Sequence, residues 1–537
     1  MGGFAESALV KQTLRQLWPE LFFNEEFGFP DEERMAQFDR VAIDMSGMLR
    51  ALGFSIQPQD PNVPIEIIFQ NAEMAEQAYL ALPPEQRTKD KMPPIVTLEQ
   101  FGRKIMSLVG RFMSNLPNLI ELGVFYDHVG LTPKIKQIEH EKRYASSSSE
   151  PVRPLVTRTI IDRAPIYNKL HDFFGDPSGK GRRAIALWLS QLLLETFPRS
   201  EHMPINKRLI VHGHCDPTSG EVQTQPWTVI RVAEPTIHLE SGLLDCRGHS
   251  FVCGEADISI MSYLMYAGEQ SGILVVSRDG DIIQSTLSVM RDRVRLANGK
   301  LEQVGQLFVR TCGEAGRIEY LDIRGLFIRL CGMFMQMQQP LPVEQLCDPI
   351  ELFMLLCFMR GNDYVQKLPG VTFPKIFDTL RSNITEFAPL LRSVFFKANV
   401  QLFRINYENF VRFVCACYRT RYNLNKPAGK KGKEVIAGSE AFNTAEDELL
   451  ALRDYLSRNQ CKSDKMQGQM PPDPEDMRCF AASISHTINY YTQSFKTEYE
   501  VPNAFEADEN GASRHGYACD DRGRVTRPAK MVKREVY

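Results

Sequence analysis

Short apolar runs alternate along this chain with stretches in which apolar residues recur at helical spacing. The predicted strands are Arg40–Ile43, the run that ends at Asp127, Arg208–His212, Trp227–Val232 and Gly272–Ser277. The predicted helices are Ala5–Phe22, Ser46–Leu52, Leu98–Leu116, Arg183–Phe197, a helix that begins at Glu255, Leu321–Met337 and Pro349–Met359. This alternation predicts an α/β fold with a mostly parallel central sheet, in which ligands bind at the carboxyl ends of the strands.

Changes in composition divide the chain into five predicted segments. Residues 1–144 and 236–400 carry the α/β pattern, and residues 145–235 read as an insertion that forms a lid or an added subdomain. Residues 401–505 read as a helical C-terminal region. Residues 506–537 are polar and rich in turn-forming residues, which predicts a disordered tail.

The overall composition is that of an ordinary water-soluble protein. Of 537 residues, 43% are hydrophobic and 24% are charged, and the net charge of −3 does not by itself indicate nucleic-acid binding. The sequence has no apolar run of about 18 residues, so we expect no membrane span. The 12 cysteines are scattered and several fall in helical apolar runs, which favours reduced thiols and a cytoplasmic or nuclear location.

Acidic residues recur where predicted strands end or helices begin. They are Asp44, Asp127, Glu255, Asp257, Asp279, Asp281 and Asp363. A buried carboxylate costs several kcal/mol, about 3–5, unless another group offsets its charge, so these acids are not explained by packing. Several carboxylates at one sheet edge would repel one another, and oxygen ligands select hard cations such as Mg²⁺ or Mn²⁺. Two such ions in a carboxylate site are a common device for phosphodiester hydrolysis.

The same acids lie in motifs that resemble those of the metal-dependent 5′-nuclease superfamily, which contains flap endonucleases, XPG-type repair nucleases and 5′→3′ exoribonucleases. The matching blocks occur in the family's order over roughly residues 1–380: Met1-Gly-Gly-Phe, Arg40-Val-Ala-Ile-Asp44, Phe125-Tyr-Asp127, Gly254-Glu-Ala-Asp257, Asp279-Gly-Asp281 and Gly361-Asn-Asp-Tyr364. The resemblance implies a three-layer PIN-like fold with a mostly parallel central sheet and a helical C-terminal region.

The resemblance also implies roles for individual residues. One Mg²⁺ or Mn²⁺ ion would be held by Asp44, Asp127, Glu255 and Asp257, and a second by Asp279, Asp281 and Asp363. Gly2 and the basic residues Lys134, Lys142 and Arg143 would contact the nucleic acid near the scissile phosphate. Replication or repair proteins would be partners, and no membrane contact is implied.

Three functions remain open at the level of sequence. The first is a structure-specific DNA nuclease that acts at 5′ flaps or junctions in replication, repair or recombination. The second is a 5′→3′ exoribonuclease, which is favoured where Gly370-Val-Thr-Phe-Pro-Lys375 replaces the Gly-x-Gly turn with which the DNA-binding members grip duplex phosphate. The third is an inactive scaffold that binds nucleic acid, against which the retention of all seven acids argues.

Two further patterns carry less weight. His212, His214, Cys215, Cys246, His249 and Cys253 are metal-ligand types, but no pair has zinc-finger spacing, so we interpret them as structural residues. Gly175–Gly181 is similar to a phosphate-binding loop, but its glycine spacing is one residue short and no Ser or Thr follows Lys180, which favours an ordinary loop.

Overall fold

The centre of the molecule is a sheet built from the apolar runs of the sequence. In the computed structural model, nine strands within the described residues form this sheet. In spatial order they are β1 (Phe22–Phe23), β11 (Ile318–Asp322), β10 (Leu307–Cys312), β9 (Ile273–Val276), β2 (Arg40–Asp44), β3 (Glu121–Phe125), β4 (Arg208–Cys215), β5 (Val222–Val232) and β6 (Ile237–Ser241). Two-stranded sheets are formed by β7 (Asp245–Cys246) with β8 (His249–Ser250), β12 (Leu391–Phe395) with β13 (Gln401–Ile405), and β14 (Tyr517–Cys519) with β15 (Val525–Pro528).

The structure describes only part of the chain. The described residues are 2–24, 30–53, 56–57, 59–60, 62–88, 91–127, 166, 180–196, 207–215, 222–232, 237–241, 245–246, 249–250, 255–312, 318–339, 341–342, 346–362, 365, 367–387, 389–395, 401–424, 436–461, 469–493, 517–519 and 525–528.

Helices surround the sheet. They are α1 (Gly2–Leu17), α2 (Glu32–Met35), α3 (Met45–Gly53), α4 (Ile65–Leu80), α5 (Leu98–Asn115), α6 (Lys180–Thr196), α7 (Ala256–Tyr266), α8 (Ile282–Leu296), α9 (Ile323–Gln338), α10 (Pro349–Phe358), α11 (Phe373–Phe387), α12 (Tyr407–Arg421), α13 (Ala445–Asn459) and α14 (Pro474–Gln493). Short 3₁₀ helices occupy Pro19–Leu21, Pro84–Gln86, Leu301–Gln303 and Ser439–Ala441.

The predicted α/β fold with a parallel centre is confirmed. Strands β10, β9, β2, β3 and β4 run parallel as neighbours. Both edges differ from the expectation of a mostly parallel sheet, because β11 and β1 on one side and β5 and β6 on the other pair antiparallel. Strand β2 has the burial that a central parallel strand requires: all five of its residues are buried, as expected of a strand covered on both faces.

Alternate strand residues enter two separate hydrophobic cores. Val41 and Ile43 of β2 belong to the core that also contains residues of α3, α5 and α6. Ala42, between them, belongs to the core formed with α1, α7, α8, α9 and the C-terminal helices. The sheet therefore lies between two helical layers, and its carboxyl-end loops are held by packing on both faces.

Two predicted segments differ in the structure. Strand β4 and helix α6 belong to residues 145–235, yet β4 pairs with β3 and Leu189 of α6 lies in the same core as Val41. The described part of this segment therefore extends the main sheet and does not form a separate lid. Within residues 506–537, the expected disordered tail, the described residues include the antiparallel pair β14–β15.

Helix ends follow from local chemistry. The predicted helix Ala5–Phe22 ends at Leu17, two residues before Pro19. Pro19 has no backbone N–H with which to continue the α-helix, and a 3₁₀ turn begins there. Helix α5 begins after Thr97, which forms a capping box with Gln100. No helix in the described part of the chain is long and apolar enough to cross a membrane.

The amino ends of the central strands carry balanced charges. Arg40, Glu121 and Arg208 are aligned on neighbouring strands, and the fully buried Glu121 forms ion pairs with both arginines. The hydroxyl of Tyr263 also donates to Glu121, at 2.8 Å. Arginine side chains thus offset the buried acid at this end of the sheet. At the carboxyl ends of β2 and β3 the charged residues are instead the acids Asp44 and Asp127.

Candidate metal centre

Asp44 is the last residue of β2 and is only 5% exposed. Its Oδ1 accepts the N–H of Gly47 at 2.9 Å, and its Oδ2 accepts the hydroxyl of Ser277 at 3.0 Å. Both donors are neutral. A Cβ at Gly47 would collide with the Asp44 carboxylate, so only glycine leaves the space that this side chain occupies.

Asp127 follows the end of β3 by two residues and connects three elements. Its N–H donates to the hydroxyl of Ser46 in α3 at 2.9 Å. Its Oδ1 accepts the N–H of Ala256, the first residue of α7, at 2.9 Å. These bonds hold the end of β3 between the first turns of α3 and α7.

Glu255 and Asp257 mark the start of α7. Glu255 is the N-cap residue and is 2% exposed, and Asp257 lies in the first turn and is 5% exposed. The partial positive charge of a helix N-terminus stabilises nearby carboxylates. Helices α3 and α8 begin in the same way, directly after Asp44 and Asp281.

Asp279 and Asp281 follow β9, the neighbour of β2. The Ser277 hydroxyl, which donates to Asp44, also accepts the N–H of Asp279 at 3.1 Å. Asp281 is the N-cap residue of α8. Its Oδ2 accepts from the side-chain amide of Asn362 at 3.3 Å and from the hydroxyl of Tyr491 at 3.1 Å.

Electrostatic interactions connect these acids into one cluster. Burial and the neighbouring Asp127 carboxylate raise the pKa of Asp44 to about 7, with a further contribution from Asp279, against the hydrogen bonds from Gly47 and Ser277. Burial also raises the pKa of Tyr491 well above its usual range, and the further causes are the carboxylates of Asp281, Glu255, Asp257 and Asp279. The structure therefore brings together six of the seven predicted acids, which we call the acid cluster. They are Asp44, Asp127, Glu255, Asp257, Asp279 and Asp281.

The donor set of the acid cluster fits hard divalent cations. Its side-chain donors are carboxylate oxygens, and the carboxylates of Asp127 and Asp279 raise the pKa of Asp44, a cost that a bound cation would remove. Among the described residues, no three aspartate, glutamate, histidine or cysteine side chains converge as a ready set of ligands. The carboxylates of Asp44, Asp127 and Asp281 instead accept hydrogen bonds from backbone and neutral side chains, so ligation requires side-chain rotation or a further ligand.

Asp363, Lys134, Lys142 and Arg143 lie outside the described residues. Gly2 is the first residue of α1. Asn362, which precedes Asp363, is described and contacts Asp281.

The sequence did not reveal three residues that hold the cluster. Ser46 and Ser277 each lie two residues from a motif acid, and for Ser277 the available signal was a polar residue between a buried strand and an acid. Tyr491 lies 210 positions from Asp281, in a region without a recognisable motif. Nothing in the local sequence indicated this contact.

The turn at Gly370 is packed against protein. Gly370 has a φ of 70°, and the guanidinium of Arg421 from α12 occupies the position where a Cβ would be. Arg421 also donates to Gln469 and lies over the ring of Tyr422. This face of the turn, which precedes α11, is therefore covered by the C-terminal region.

In comparisons with known proteins, no family model and no curated protein matched this sequence.

Proposed function

We propose that this chain is a divalent-metal-dependent 5′ nuclease with a PIN-like fold, which hydrolyses phosphodiester bonds in DNA that carries a 5′ flap or junction. The observation that carries the proposal is the acid cluster at the carboxyl ends of β2, β3 and β9, where Asp127 and Asp279 raise the proton affinity of the buried Asp44. This repulsion destabilises the protein when no cation is bound, and a bound cation that offsets it would give the acids a function.

The members of the acid cluster, with Asp363, would hold two Mg²⁺ or Mn²⁺ ions. When bound, such ions lower the pKa of a coordinated water and neutralise charge that develops on the phosphate. The protein's part is to hold the carboxylates ionised and oriented. Neutral donors do this: Ser277 and Gly47 for Asp44, Ala256 for Asp127, and Asn362 and Tyr491 for Asp281.

A substrate phosphate also requires a cationic contact beside the acids. Arg278 is exposed and lies in the sequence between Ser277 and Asp279. An arginine fork suits a phosphate because it donates two parallel hydrogen bonds. We therefore assign Arg278 to binding the nucleic-acid backbone at the edge of the acid cluster.

The second candidate function is a 5′→3′ exoribonuclease. The observation that favours it is the covered turn at Gly370, because Arg421 fills one face of the segment with which flap nucleases would grip duplex phosphate. Either substrate leaves the proposed metal chemistry unchanged.

The test is cleavage by the 537-residue chain of labelled 5′-flap DNA, gapped DNA and 5′-monophosphate RNA, with Mg²⁺, with Mn²⁺ and with EDTA. We expect metal-dependent cleavage of flap DNA that is lost by at least ~100-fold in Asp279→Asn. The control Asp454→Asn alters an exposed aspartate of α13 and should cleave as the wild type does.

Preferential degradation of the RNA would favour the second candidate function, a 5′→3′ exoribonuclease, over the flap nuclease. Cleavage of no substrate by folded protein would contradict the nuclease proposal and favour the scaffold function.

A further inference from the structure

A buried tyrosine of the C-terminal region lies against the acid cluster. Tyr491 of α14 is 1% exposed, and its hydroxyl donates to Oδ2 of Asp281 at 3.1 Å. Its ring stacks on Phe358 of α10, with 5.5 Å between centroids and 24° between planes. The ring is thus fixed by packing and the hydroxyl by the carboxylate.

Helix α14 is positioned by contacts that do not involve the acids. Asn489 exchanges two hydrogen bonds with the backbone of Phe403 in β13, each 2.9 Å long. The hydroxyl of Ser485 accepts the N–H of Ile405 at 3.1 Å. Because the hairpin β12–β13 anchors the helix in this way, the location of Tyr491 does not depend on Asp281.

Two neutral donors from distant segments meet at one oxygen of Asp281. They are the amide of Asn362, which follows α10, and the hydroxyl of Tyr491. A carboxylate oxygen that accepts two hydrogen bonds is restricted in rotation. Neutral donors favour the charged carboxylate without bringing a cation that would compete with a metal ion. Such contacts to metal ligands commonly set metal affinity.

We propose that Tyr491 is a positioning residue that holds the Asp281 carboxylate for metal binding, which makes the C-terminal helical region a part of the metal centre. The proposal rests on the proposed function, since it assigns Asp281 to metal binding. It adds a requirement that the motif-bearing residues 1–380 do not satisfy alone.

The first test is the affinity of the 537-residue chain for Mn²⁺, measured by electron paramagnetic resonance. Tyr491→Phe retains the ring and removes the donor, so we expect Mn²⁺ affinity to fall by about 10-fold. Cleavage should fall at limiting Mn²⁺ and recover at high Mn²⁺. A purely structural role would not produce this recovery.

The matched control is Tyr418→Phe. Tyr418 is equally buried in α12, and its hydroxyl donates to the carbonyl of Pro369 at 2.6 Å. It should lose stability without a change in Mn²⁺ affinity. Equal Mn²⁺ affinities in the wild type and Tyr491→Phe would overturn the proposal.

The second test separates this proposal from the proposed function. A double-mutant cycle combines Tyr491→Phe with Asp281→Asn in metal-free protein and measures denaturant unfolding. Non-additive effects would support the positioning contact, and additive effects would overturn it whatever the activity. If the cycle is non-additive but the wild type binds no Mn²⁺, it is the proposed function that fails, and with it the metal-binding purpose of Tyr491.

Discussion

The hydroxyl of Ser277 lies 3.0 Å from Oδ2 of Asp44, although the two residues are 233 positions apart in the sequence. The same hydroxyl accepts the N–H of Asp279. One small side chain therefore joins the carboxyl ends of β2 and β9, and it does so inside the acid cluster. Its two bonds orient Asp44 and fix the start of the loop that carries Asp279 and Asp281.

Ser277→Ala should reduce activity more than stability. The substitution leaves Oδ2 of the buried Asp44 without this donor, so the ionised form is less favoured and the carboxylate less oriented. We expect metal-dependent cleavage to fall by about 10–100-fold and unfolding free energy to fall by about 1 kcal/mol. Ser190→Ala is the control, because this buried serine donates to Ala186 within α6, and it should retain activity. Unchanged cleavage and metal affinity in Ser277→Ala would contradict the role assigned to the hydroxyl.

Asp44→Asn should stabilise the metal-free protein at alkaline pH while abolishing activity. Burial and Asp127 raise the pKa of Asp44 from 3.8 to about 7, so the unfolded chain ionises this group first. The contribution of Asp44 to the free energy of unfolding is fully present below about pH 4 and is lost as the pH rises to about 7. In EDTA at pH 8, we expect the free energy of unfolding of Asp44→Asn to exceed that of the wild type by roughly 1–3 kcal/mol.

The gain in Asp44→Asn should shrink as the pH falls from 7 towards 4, and added Mg²⁺ should stabilise the wild type more than the variant. Chemical denaturation at several pH values measures both effects. A gain that does not vary with pH would exclude the repulsion among these carboxylates as its cause.

Gly47→Ala should disturb the site although alanine favours a helix. Within α3, the added Cβ would meet the Asp44 carboxylate, which has to move. We expect a loss of metal affinity and cleavage without the usual gain of about 0.5–1 kcal/mol in stability. Gly332→Ala in α9 is the matched control, because no neighbouring atom lies within 4 Å of its added Cβ. It should gain stability and keep activity. Metal titration and thermal unfolding of both variants test the comparison.

Arg278→Ala should weaken substrate binding rather than metal binding. Loss of one phosphate contact should raise KM about 5–10-fold at moderate salt. The number of counterions released on binding, given by the slope of log Kd against log salt concentration, should fall by about one. Metal affinity should be unchanged. Fluorescence anisotropy with flap DNA over a salt series measures the effect. Arg458→Ala, an exposed arginine of α13, is the control. The same salt dependence in Arg278→Ala and the wild type would remove Arg278 from the binding surface.

Hydrophobic patterning alone determined the centre of this protein. Arg40–Ile43 and Gly272–Ser277 were predicted as strands and coincide with β2 and β9 within about a residue. A fully buried parallel strand needs a continuous apolar run, and a carboxylate at its end interrupts that run visibly. The sequence alone therefore predicts that Asp44, Asp279 and Asp281 lie at one edge of the sheet.

The tertiary structure decided what surrounds that edge. It placed β4 and α6 in the main layers, made both sheet edges antiparallel, and brought Tyr491 to Asp281. Edge pairing and contacts between residues about 200 positions apart depend on which surfaces fit together. The local periodicity of hydrophobic residues does not show which surfaces these are. The strands and their acids could be predicted because hydrophobic patterning is a local property of the sequence. The neutral donors that hold the acids could not be predicted, because packing between distant segments supplies them.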